Sequence, residues 1–400
     1  MNATARLYAR YALGLLALTL LAGVHLRAAF AWPAMRGGMN GAYLIHAHSH
    51  AGFFGWAVMA AFAAITAGMA LTPATTRVQQ VIAHALGLAS VAAFVGFALR
   101  GYDLVTVAIS VLHVLLWIAF VASVAGRLAG GNHAARFTRA ALGFLVAAGL
   151  ATTAPVVMMV RGVTDPWLLQ LGVKLFLTPF ATGFLVLLAL GIVYRRIPTP
   201  RYANAVLALI AAGTLPSTLL YVQAAPPTPW LTVVGRAGIA LTGAGMLLFA
   251  ADAARRRLVP LARVVIASAA ATGAVQLLAA AGVGAAFMHS RAITIAVLHL
   301  VVLGVVTPAL LLALRPHVVA PVRTAVYAAG TAVMLLALAA TGWPWAARTL
   351  MLRGVEIGTL LAGAAVGGVV GAAALLSLSG DRRPIRVSAD LDMGAPRTRV

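Results

Sequence analysis

The chain has no cysteine, a single lysine (Lys174), and only seven acidic residues against 29 basic ones in 400. Without cysteine there is no disulfide, no thiolate-bound metal, no iron–sulfur cluster and no haem attached covalently through a Cys-x-x-Cys-His motif. Any metal must be held by His, Met or oxygen donors. Charged residues make up 9% of the chain and hydrophobic ones 62%. A soluble core cannot absorb that much apolar surface, so the composition specifies a polytopic membrane protein. The net charge of +22 does not point to nucleic acid, because the arginines fall in short loops between apolar runs, where they act as topology signals.

What is present is a succession of apolar runs. Twelve are long enough to cross the hydrocarbon core: 8–31, 43–71, 78–99, 104–126, 138–160, 167–194, 202–222, 230–251, 259–283, 292–314, 320–341 and 354–379. The first follows Arg6 and Arg10 and is read as an uncleaved helix rather than a signal peptide. No linker separates domains and no internal repeat stands out. The expected fold is an all-α transmembrane bundle over 1–380, followed by a polar cytoplasmic tail, 381–400, with both termini cytoplasmic. Arginine counting supports that orientation. Twenty basic residues fall on the side of the termini and seven on the other, with Lys174 and Arg236 inside spans. The expected location is a bacterial-type inner membrane, with the lipid bilayer as the chain's surroundings.

Histidine is the residue whose placement asks for an explanation. Three of the ten histidines, His46, His48 and His50, open the second run. His50 and, on the tenth run, His299 each lie about 10 Å below the outer boundary at 1.5 Å per residue. His25 and His113 reach a similar depth on the first and fourth runs. Helical phase puts His46 and His50, four residues apart, on one face and His48 on another. Imidazoles are costly in hydrocarbon unless partnered. One reading is structural hydrogen bonding. A second is haem: neutral imidazoles on facing helices ligate iron axially, glycines near them (Gly52, Gly55, Gly304) leave room for a macrocycle, and outer arginines such as Arg27, Arg36, Arg100, Arg291, Arg348 and Arg353 pair with its propionates. A third is copper or zinc handling, in which Met35 and Met39 join His46, His48 and His50, and Met288 joins His289.

His48-Ser49-His50 with Gly55 five residues beyond the second histidine, and His299 with Gly304 five residues beyond, resemble the His-Ala-His and late-helix His motifs of the NnrS-like group of haem-and-copper membrane proteins and, more broadly, haem-copper oxidase subunit I. The resemblance covers these two motifs, the number of spans and the topology. It implies a b-type haem with His50 and His299 as its ligands, copper as a second metal, redox partner proteins, and a role in electron transfer or in nitric oxide or copper handling. The departures limit what carries over. The sixth and seventh runs contain no histidine, and Val297 stands two residues before His299. The oxygen-reducing centre of the oxidases is therefore not expected, nor is proton pumping, since no acid lies deep in the inner half of a span. Lys174 and Arg236 are expected to pair with Glu356, Asp103 or a propionate. Gln170, Tyr221, Gln223 and Gln276 are expected to line the same outer region. Pro155, Pro179 and Pro216 are expected to kink their helices.

Overall fold

The computed structural model describes residues 1–128, 131–226, 228–282, 290–314, 320–342 and 357–380. It is all helical, with twelve helices long and apolar enough to cross a membrane. They are α1 (Ala3–Ala31), α2 (Gly41–Thr66), α3 (Pro73–Arg100), α4 (Leu104–Arg127), α5 (His133–Met158), α6 (Pro166–Tyr194), α7 (Ala203–Tyr221), α8 (Pro229–Ala254), α9 (Pro260–Ala280), α10 (Arg291–Leu314), α11 (Pro321–Gly342) and α12 (Thr359–Ser377). The chain is a multi-pass integral membrane protein by this measure. Each hydropathic run corresponds to one helix, and capping moves the boundaries. The Asn2 side chain accepts from Ala5 N, so α1 starts well before the apolar run. Thr72 caps α3 with Pro73 at its first turn, and Asp165 caps α6 with Pro166 likewise. The expected tail at 381–400, with Met288, His289, Arg348, Arg353 and Glu356, lies outside the described residues.

Three helices form the centre. The most apolar stretches of α2, α6 and α10 are 78, 83 and 61% buried, against 28 to 50% for the other nine. Their inner halves explain this. Val58–Ile65 and Phe184–Val193 are apolar all round, and Val305–Leu312 is so except for Thr307, as a helix surrounded by other helices must be. The central helices are four apart in chain order, and the helices around them repeat one pattern. In each consecutive group of four, the first helix packs on the second and third, and the third on the fourth. The groups then join in a ring through α4 with α5, α8 with α9, and α12 with α1. The bundle is thus three similar arcs of four helices, each giving one helix to the centre and three to the surrounding ring.

This repeat is hidden in the amino-acid sequence, but it has a signature. His50, Thr178 and His299 occupy equivalent points of α2, α6 and α10, and each is followed five residues later by glycine: Gly55, Gly183 and Gly304. Immediately after each of the three, the helix widens into a π-helical segment, Ala51–Ala57, Pro179–Val186 and Leu300–Val306. Such wide turns are rare and concentrate at functional positions. The glycines serve the same contact in each arc. A Cβ on Gly55 would lie 3.1 Å from Leu15 of α1, one on Gly304 would lie 2.5 Å from Ser268 Oγ of α9, and one on Gly183 would collide with Phe144 of α5. They bring each inner helix against the first helix of its arc. The expectation that Gly55 and Gly304 clear space for a macrocycle is therefore corrected, and Gly52 likewise faces Thr19 on α1, 3.2 Å away.

Several buried threonines are satisfied within their own helices. The hydroxyls of Thr19, Thr66, Thr138, Thr214 and Thr272 each donate to the carbonyl four residues earlier on their own helix, which removes the cost of burying them. Pro155 follows a break in α5 at Thr152, Pro179 opens the π segment of α6, and Pro216 precedes a tight turn, Thr218–Tyr221, that ends α7.

Candidate metal and cofactor site

The three histidines of α2 point to two sides of that helix, as their phase predicts. His46 and His50 turn toward α3 and the loop that follows it, where they meet Phe97 and Tyr102. His48 turns toward α1 and α10. Its ring faces that of His299, with ring centres 6.5 Å apart and planes within 8° of parallel. The imidazole opposite His299 is thus that of His48, not His50. Depth alone makes His50 and His299 level, but the 100° step of the helix sends His50 to the far side of α2.

The hydrogen bonds of the pair fix which nitrogen is free. His48 Nδ1 lies 3.0 Å from the carbonyl oxygen of Thr19, and His299 Nδ1 lies 2.8 Å from that of Ile295. A carbonyl oxygen only accepts, so each Nδ1 carries the proton and donates it, and each Nε2 is left with a bare lone pair. Among the described residues neither Nε2 has a hydrogen-bond partner. A neutral imidazole held by Nδ1–H to an oxygen, with Nε2 free, is the form in which histidine binds metals.

One face of α1 closes this space with residues at successive fourth positions. Thr19 supplies the carbonyl. Gly23 lets the His48 ring lie against the backbone, since a Cβ there would be 2.9 Å from His48 Cε1. Arg27, half-buried, is within electrostatic reach of both His48 and His299. Among the described residues the one ion pair is Arg100 with Asp103, at 2.8 Å, so no described carboxylate neutralises Arg27. Just below, Trp56 Nε1–H donates to Thr307 Oγ1 at 3.3 Å and ties α2 to α10.

The remaining candidates divide into satisfied and unsatisfied groups. His113 donates from Nδ1 to Ile109 O at 2.8 Å and its Nε2 is 3.2 Å from Ser90 Oγ. Both nitrogens are engaged and the residue is fully buried, which is a structural arrangement. His84 pairs with Tyr11 OH at 2.8 Å. His25 keeps a buried Nε2, and His50 a buried Nδ1, without a partner. Arg291 opens α10, exposed and within electrostatic reach of His46, and Arg36 falls in the short turn Pro33–Arg36 after α1. Asp103 is engaged with Arg100 and the cap of α4, so it is not a partner for Lys174 or Arg236. Gln170 accepts from Gln223 N and Ala224 N, holding the α7–α8 loop, and Gln276 reaches Tyr221 OH at 3.5 Å. No three His, Asp or Glu side chains converge among the described residues. Sequence reasoning did not single out Tyr102, Gly23 or the Thr178–Gly183 motif. The five-residue spacing to glycine, sought a third time along the chain, is the signal that leads to the last. Compared with known proteins, the chain matches no family model and no curated protein.

Proposed function

We propose that this chain is a haem-binding integral membrane protein in which His48 and His299 would hold the iron of a b-type haem. The observation that carries the reading is the facing pair of imidazoles. A metal–imidazole bond of about 2 Å on each side would set two end-on ring centres about 6 Å apart; the rings stand 6.5 Å apart with nearly parallel planes, so the spacing suits an iron once each ring turns its Nε2 toward the gap. Both Nδ1 protons are already committed to backbone oxygens, so Nε2 is the nitrogen each ring would offer a metal. Arg27 is placed for an anionic substituent of the ring. The pairing His48 with His299 replaces the His50–His299 pairing that the resemblance implies. His50 is packed against Phe97, with ring centres 3.9 Å apart, and Phe54 at 4.6 Å, on the side of α2 away from His299.

A haem held by these two imidazoles would supply one-electron transfer. That favours electron transfer, or a part in nitric oxide handling as the NnrS-like resemblance suggests, over oxygen chemistry. The test is the optical spectrum of protein purified from haem-replete cells. A Soret band of a bis-imidazole haem is expected in the wild type and in His50→Ala, and its loss or conversion to a high-spin form in His48→Ala and in His299→Ala. A wild-type preparation without haem, or a spectrum indifferent to His48→Ala, rejects the reading.

A further inference from the structure

We propose that the opposite face of α2 carries a separate metal site, in which His46, His50 and Tyr102 bind a divalent first-row transition-metal ion from the outer side. Histidines four residues apart on one helix face are spaced to share a single ion, the arrangement found within His-Glu-x-x-His sites. Here the third donor comes from the loop between α3 and α4. The Tyr102 ring stands edge-on to His46 with centres 4.7 Å apart, and its hydroxyl lies 3.5 Å from His50 Nε2. That distance is at the limit of a hydrogen bond, so both atoms remain free to take a stronger partner.

The loop that carries Tyr102 is held in place on both sides. Gly101 has φ 64°, a conformation suited to glycine, and the Tyr43 ring lies so close that any side chain there would collide with it. Thr106 Oγ1 donates to Gly101 O at 2.9 Å, and Asp103 caps α4. His50 is fixed flat against Phe97 with its planes 16° apart, and its Nδ1 is buried without a partner. A buried imidazole with one nitrogen unpaired and the other only loosely engaged is unusual in a packed bundle, and coordination gives it a reason to be there. Access is open, because Tyr102 is 62% exposed. His113 is not a ligand, since both its nitrogens are occupied. Two imidazoles and a phenol, with no thiolate in the chain, suit Cu²⁺ and Zn²⁺, in that order of affinity.

This site shares no residue with the His48–His299 pair, so the two readings stand or fall separately. Equilibrium dialysis of the full-length protein against Zn²⁺ or Cu²⁺ measures the metal-to-protein ratio. One tightly held ion per chain is expected, and His46→Ala and Tyr102→Phe are each expected to weaken it at least about tenfold, the loss that even an outer-sphere partner causes. Tyr102→Phe preserves the ring packing, so its effect does not reflect a lost fold. His299→Ala is expected to leave the ion in place. No ion retained by the wild type at micromolar metal overturns the proposal. So does undiminished binding in either His46→Ala or Tyr102→Phe, or loss of the ion in His299→Ala.

Discussion

At the scale of single residues, two positions of spacing on α2 separate three chemically identical side chains. His48 lies between α1 and α10 with a bare Nε2. His46 and His50 lie on the α3 side beside Tyr102. The same scale separates a histidine poised for a ligand from one already satisfied. His113 and Ser90 form a buried pair between α3 and α4 at 3.2 Å. Removing the hydroxyl leaves the imidazole lone pair buried and unmatched, which costs about 1–3 kcal/mol. Ser90→Ala should therefore lower the thermal midpoint of the detergent-solubilised protein without altering any haem spectrum, and a spectral change would mean that His113 touches the cofactor. The histidines were legible in the sequence as the residues to watch. Which of them faces His299 was not legible, because depth along a helix follows from counting whereas the partner across a gap depends on how neighbouring helices rotate.

At the scale of helices, the glycines five residues past His50, Thr178 and His299 set how closely each inner helix meets its arc. Gly183→Leu should displace Phe144 and prevent accumulation of folded protein. Gly14→Ala is the control: nothing lies within 4 Å of the added carbon, so no loss is expected and alanine should add roughly 1 kcal/mol of helix stability. Expression level and elution profile on size exclusion distinguish the two. The N-terminus of α4 gives a prediction of another kind. Asp103 accepts from the backbone N–H of Thr106, which foremost holds its carboxyl below the ordinary carboxylate value, and it also pairs with Arg100. A lowered folded-state value means that the stabilisation is present above the unfolded-state value and disappears as pH falls through the folded one. The thermal midpoint should show an acid-side decline that is smaller in Asp103→Asn, which keeps the cap but has no charge to lose. An equal decline in both proteins would show that Asp103 is not its source.

At the scale of the whole molecule, the ring of three arcs makes the central helices interchangeable in form and different in content. His50, Thr178 and His299 hold the same structural position, yet only two of the three are imidazoles, and only one of those, His299, has another imidazole across from it. Orientation belongs to this scale as well. The chain has no cysteine, so single cysteines report topology without background. Thr164→Cys, between α5 and α6, should react with a membrane-impermeant maleimide on intact cells. Gly131→Cys, between α4 and α5, should react only after permeabilisation. The reverse pattern would invert the arginine-based orientation.

The sequence by itself determined that this is a membrane bundle, how many helices cross, and that imidazoles cluster near one end. Composition, run length and helical periodicity are local quantities, and the hydrocarbon core tolerates few alternatives to them. The tertiary structure decided the threefold arrangement of the arcs, the true role of the glycines and the pairing of His48 with His299. Those depend on which helix faces which, and in a chain whose lipid-facing and helix-facing surfaces are equally apolar, hydropathy carries no record of that choice.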